Sequence, residues 1–129
     1  MDAAPAPGTD AATRPTVRRR PWITVVKTAG DADGHHPTDP AVRRFWTAVV
    51  GPGAVADLLR LVAAASSGRP LRRPLHLDTL IAEGLVTAAA GVVAAPTTIP
   101  LLDAGQRRRL HPALRAEYCA LLAATGTVG

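Results

Sequence analysis

Hydrophobic and polar positions change their period several times along the chain, and each change predicts an element. Trp22-Ile23-Thr24-Val25-Val26-Lys27-Thr28 is rich in β-branched residues and bounded by Pro21 and Gly30, which predicts a strand. A turn-rich loop, Asp31 to Thr38, leads to Asp39-Pro40, a helix start: Asp can accept from the free N–H groups of a first turn, and Pro suits that turn. Val42, Phe45, Trp46, Val49 and Val50 then recur at helical spacing, with Arg43, Arg44 and Thr47 opposite. Gly51-Pro52-Gly53 breaks that helix. A second is expected from Ala54 to Ser66, its apolar face made by Val55, Leu58, Leu59 and Val62.

Ser67-Gly68-Arg69-Pro70 ends the second helix, and Pro70 to Pro74 cannot be helical throughout. A short third helix is expected from Leu77 to Glu83, with Asp78 as a capping residue and Gly84 as its stop. Leu85-Val86-Thr87 and Val92-Val93-Ala94-Ala95 read as a short hairpin around Gly91, although Ala88-Ala89-Ala90 also favours helix. Pro96 to Pro100 is extended. Asp103 caps a helix from Ala104, and His111-Pro112 resets it into a last helix ending near Thr125, with Leu114, Tyr118, Leu121 and Leu122 as its apolar stripe.

Composition fits one domain. Of 129 residues 47% are hydrophobic, enough for a core, but Trp22, Phe45, Trp46 and Tyr118 are its only aromatic residues, so Leu, Val and Ala must do most of the packing. Residues 1–20 are mostly Ala, Pro, Gly, Thr and Asp, ending in Arg18-Arg19-Arg20; they read as a flexible arm with a cationic end, ahead of a domain over 21–125. The start has neither a cationic n-region nor an apolar h-region, so no signal peptide is expected. Leu85 to Leu102 carries no charge but is built of Ala, Gly, Thr and Val and holds Pro96 and Pro100, so it does not read as a membrane span. A cytoplasmic protein with no membrane partner is expected.

The net charge of +5 suits a polyanion. Its cations are almost all arginine, alongside abundant Ala and Pro, which is also what GC-rich coding produces. Four arginine groups stand out: Arg18 to Arg20, Arg43 with Arg44, Arg69 with Arg72 and Arg73, and Arg107 to Arg109. Gathered on one side they would neutralise several phosphates at once. Dispersed, they are a solvated surface.

Three helices, a hairpin and a C-terminal helix follow in the order of winged-helix domains. The segment Leu77-Asp78-Thr79-Leu80-Ile81-Ala82-Glu83-Gly84-Leu85-Val86, with Gly91-Val92-Val93-Ala94-Ala95-Pro96, resembles the last helix and wing of bacterial winged-helix regulators. That resemblance, over about twenty residues, implies an α+β, mainly helical, winged-helix-like fold, with a helix in the major groove and a wing against phosphates. It implies a small DNA-associated regulator of transcription. Arg69, Arg72, Arg73, Thr79, Arg43, Arg44, Arg107, Arg108 and Arg109 are its candidate contacts, with Arg72 and Arg73 foremost because they precede the third helix. Such a regulator could form a homodimer through the C-terminal helix, apolar at Leu114, Leu121 and Leu122, although core packing also explains that stripe. The alternative is a protein-interaction module, using an apolar face or an edge strand within Val92 to Leu102.

Other signals carry less chemistry. Asp31-Ala32-Asp33-Gly34-His35-His36 holds metal-ligand types, but its spacing is not that of an EF-hand and turn formation explains it. His111 and Cys119 are eight residues apart with Pro112 between and no orienting group, so no catalytic dyad is read. His76 and Asp78 read as a helix-start pair, and Cys119 as a small buried apolar group. Neither a phosphate loop nor a nucleophile elbow is present, so no enzyme, cofactor or metal is expected.

Overall fold

A computed structural model describes residues 20–30 and 32–124. Arg18, Arg19, Asp31 and Thr125 lie outside the described residues. The fold is α+β, with about half of the described residues helical and a four-stranded mixed sheet.

The N-terminal strand β1 (Trp22–Thr28) is followed by helix α1, residues 40–50, which passes through a π-helical stretch at Val42–Trp46 before an α-turn at Thr47–Val50. As expected, the Asp39 carboxylate accepts from the Ala41 N–H at 2.9 Å. Val42, Phe45 and Trp46 are all buried, and the Trp46 indole N–H finds the Pro100 carbonyl at 2.9 Å, so the large ring enters the core without losing a hydrogen bond. Gly51 ends α1 at φ 93°, a conformation that favours glycine.

Helix α2 (Pro52–Ser67) is the central slab of the core and stops at Gly68, which is left-handed at φ 71°. Its buried positions are Ala54, Val55, Asp57, Leu58, Leu61 and Ala64. The expected face was rotated: Leu59 and Val62 are only partly buried, Leu61 is fully buried, and a carboxylate lies inside. Small residues at 54 and 64 bring this helix close to the sheet, where it covers Ile23, Val25, Val93 and Ala95. Strand β2 (Leu71–Arg72), helix α3 (Leu77–Ala82), strands β3 (Thr87–Ala89) and β4 (Val92–Pro96), and helices α4 (Ala104–Arg108) and α5 (Pro112–Ala124) follow.

The sheet order is β2-β1-β4-β3. Strand β1 pairs antiparallel with β2 and parallel with β4, in a register running from Thr24–Val92 to Thr28–Pro96. The stretch from Val92 expected to be an edge is therefore interior, because β4 is bonded on both sides; β3 and β2 are the edges. The hairpin also sits two residues later than expected on its first arm. Leu85 and Val86 are core residues that precede β3, since Gly84 at φ 77° turns the chain inward first. The turn itself is Ala90-Gly91, with φ 52° and 79°, the left-handed pair that a two-residue hairpin demands.

At α4, Asp103 accepts from the Gln106 N–H at 2.7 Å while the Gln106 side chain accepts from the Asp103 N–H at 2.9 Å, a complete capping box. The stripe on α5 serves the core: Tyr118 and Leu122 are buried, and Leu114 and Leu121 pack against the cluster. Cys119 is exposed, contrary to expectation, because its helical angle falls one step beyond Tyr118 and away from that stripe.

Two of the loop residues expected to form only a turn are structural. His35 is buried, pairs through its backbone with Ile99, and places Nε2 2.9 Å from the Tyr118 hydroxyl, which accepts from the Leu102 N–H at 3.1 Å. His36 points elsewhere, to the Thr38 hydroxyl at 2.8 Å, so the two imidazoles do not converge. Burial lowers the His35 pKa, and the Asp39 carboxylate at 3.9 Å opposes that effect.

Three outcomes follow. A neutral His35 in the fold and a free one in the unfolded chain mean that protons favour unfolding. Stability is expected to be flat above the ordinary value of 6.5 and to fall as pH drops from there through the lowered folded value. Urea midpoints between pH 7.5 and 5 should show that decline, and a His35→Gln chain should flatten it. Tyr118→Phe should lose about 1–3 kcal/mol in the same assay, because it strands the Leu102 N–H. Ala90→Asn should gain up to about 1 kcal/mol, since Asn tolerates the left-handed backbone that Ala resists.

Candidate nucleic-acid interface

Pairing of β1 with β2 brings together two arginine groups that the sequence separates. Arg72 stands opposite Trp22, the Arg73 N–H bonds the Pro21 carbonyl at 2.8 Å, and the Arg72 guanidinium donates to the Arg20 carbonyl, 52 residues away, at 3.0 Å. The same guanidinium lies 4.2 Å from the centre of the Trp22 ring, a cation–π stack on a half-open surface. Beside this edge, between β2 and the start of α2, is a cleft of about 380 Å³. Arg20, Arg60, Arg72 and His76 line it with Asp57 and Leu71.

Asp57 is the buried anchor of the cleft. One carboxylate oxygen accepts from Arg60, one turn along α2, and the other accepts from the His76 N–H at 3.0 Å. His76 opens α3, and the helix has no side-chain cap of its own, so Asp57 does from α2 what Asp78 was expected to do locally. The His76 ring rests on Gly53, where an added Cβ would lie 2.5 Å from Nε2. Asp78 instead pairs with Arg73 at 2.8 Å, and does not pair with His76. Neither Arg60 nor Asp57 stood out in the sequence, because Asp57 sits between apolar neighbours as if on a solvated face.

The remaining candidates do not line this cleft. Arg43 is exposed on α1, and Arg44 forks onto Glu117 of α5 at 2.5 and 2.8 Å. That hydrogen bond raises the Arg44 pKa and lowers that of Glu117. Arg107 donates to the Leu102 carbonyl at 3.3 Å, Arg108 is exposed, and Arg109 pairs with Glu83 at 2.9 Å. Thr79 is exposed on α3, whose Leu77 and Leu80 are fully buried. Arg73 meets the first turn of α3 and Arg109 the residue that follows its last turn, Glu83, each through a carboxylate that offsets its charge.

Among the described residues no helix is long and apolar enough to cross a membrane, and no group of three His, Cys, Asp or Glu side chains could hold a metal ion. Comparison with protein-family models, with curated proteins and with solved structures finds no match.

Asp57→Ala should remove the cap on α3 and release Arg60. We expect a loss of about 1–3 kcal/mol in urea unfolding, with Asp57→Asn recovering part of it by still accepting one of the two bonds.

Proposed function

We propose that the protein is a small nucleic-acid-associated domain, a regulator held to DNA mainly through arginine–phosphate contacts. The observation that carries this reading is the convergence of Arg20, Arg60 and Arg72 on one cleft. Arg69 and Arg73 flank it in the same short segment, and Arg69 has no acidic partner among the described residues. Guanidinium groups suit this task because their planar donors match phosphate oxygens two at a time. In the winged-helix-like form of the reading, α3 stands beside the cleft with the β3–β4 hairpin following it, and Thr79 offers its hydroxyl outward. Asp78 and Glu83 engage Arg73 and Arg109 there, so this reading puts the grip at the β2 edge and gives α3 little share of it.

A second reading, a protein-interaction module, is favoured by β3: Thr87-Ala88-Ala89 is an exposed edge strand without charge.

Anisotropy of a labelled duplex at rising salt tests the first reading. Two phosphates neutralised in the cleft, by Arg20 and Arg72, give a slope of log K against log salt of about −1.8, Arg60 being paired with Asp57. Arg72→Ala/Arg73→Ala should make the slope shallower by about one to two, while Arg43→Ala/Arg44→Ala should leave it in place. Affinity that ignores salt, or no affinity at low salt, rejects this reading, and a protein partner retained by the Arg72/Arg73 double variant in nuclease and high salt supports the second.

A further inference from the structure

The face of the sheet turned away from α2 is open. Trp22 is 58% exposed, Val26 41% and Val92 40%, and Thr24, Thr87 and Ala89 are exposed as well. Register arranges them in rows: Arg72 beside Trp22, then Thr24, Val92 and Ala89, then Val26, Ala94 and Thr87. Apart from Arg72 at one corner, none of these side chains is charged. From Trp22 to Val26 the face extends roughly 13 Å along β1. Arg72 belongs both to this face, through its stack on Trp22, and to the cleft it shares with Arg20 and Arg60.

Resting on the phosphate-binding reading above, we propose that this face binds single-stranded nucleic acid. Unpaired bases lie on the uncharged sheet, one of them stacked on the Trp22–Arg72 pair, and the strand's phosphates continue over the β2 edge into the arginine cleft. The chemistry is complementary at both ends: an unpaired nucleotide presents an apolar π-face and an anion, and the protein offers an open indole and a guanidinium group side by side. A duplex keeps its bases inside its own stack and has no use for the indole. A protein strand adding to the sheet would bond to a backbone edge, β3 or β2, and would make no use of the open ring face of Trp22. A second copy of the chain would bring another cationic corner and no anion to meet it.

The two tryptophans make the test direct, because Trp46 is 1% exposed and Trp22 more than half exposed, so added quenchers and stacked bases reach Trp22. The full chain is titrated with oligo-dT and oligo-rU of about 16 nucleotides, a length within the usual footprint of a single-strand-binding domain, and with a duplex of the same length. We expect tighter binding of a single strand than of the duplex, with quenched emission; whichever strand binds tighter names the nucleic acid. Trp22→Ala should weaken single-strand binding by roughly tenfold or more and duplex binding by much less, and Trp22→Phe should recover most of the loss. Val26→Glu should weaken single-strand binding by setting a carboxylate in the path of the strand. Circular dichroism checks that each variant folds, as both positions are exposed. Single-strand affinity that is indifferent to Trp22→Ala, with unquenched emission, overturns the stacking site and leaves the arginine–phosphate reading standing. No binding of any strand at low salt overturns both, and dimerisation abolished by Trp22→Ala without quenching assigns the face to a second copy and overturns the proposal.

Discussion

Strand β1 is hydrogen-bonded on both sides, and most of what is distinctive here depends on that. An isolated N-terminal strand beside a short hairpin would leave a row of backbone groups open. By pairing with β2 at Trp22 and Ile23 on one flank and with β4 from Thr24 to Thr28 on the other, β1 links the segments around residues 22, 71 and 93 into one sheet. Its inward side chains, Ile23 and Val25, meet α2, while its outward ones meet water. The same pairing draws Arg20 and Arg72 together, so the candidate interface is a by-product of sheet formation.

Local signals in the sequence were readable where they arise from neighbouring residues. The span of β1, the Asp39 start of α1, the glycine stops after α2 and α3, and the Asp103 capping box all depend on contacts within a few positions. Strand β2 was not readable, since two residues between Pro70 and Pro74 have no period to detect. The parallel partnership of β1 and β4 was not readable either, because register across some seventy positions leaves no local trace. The hairpin turn is a case between: Ala90-Gly91 lacks the asparagine that marks such turns, and the apolar pair Leu85-Val86 looks like a strand while serving as core.

At the candidate interface, Arg72 was legible as a candidate and its partners were not. Arg60 stands alone in the chain, and Asp57 reads as an exposed carboxylate until α2 is rotated to place it under His76. Burial then changes what that carboxylate means. In water it is one more surface charge; inside, with Arg60 and the His76 N–H as its donors, it locks α2 to the start of α3 and sets one wall of the cleft. Arginine groups that looked equivalent by spacing differ in the same way: Arg44 and Arg109 are engaged by carboxylates, whereas the Arg72 guanidinium meets the Arg20 carbonyl and the Trp22 ring.

Arg115 shows what such engagement does to the whole molecule. Its guanidinium donates to the carbonyls of Arg107, Arg108 and Leu110, each at 3.2 Å, closing the open end of α4 from within α5. A cation spent on fastening a helical corner contributes little to the field felt by an approaching ligand. The isoelectric point therefore overstates how much of the described surface faces outward as positive potential, since Arg44, Arg60, Arg73, Arg109 and Arg115 are each held by an acceptor within the fold.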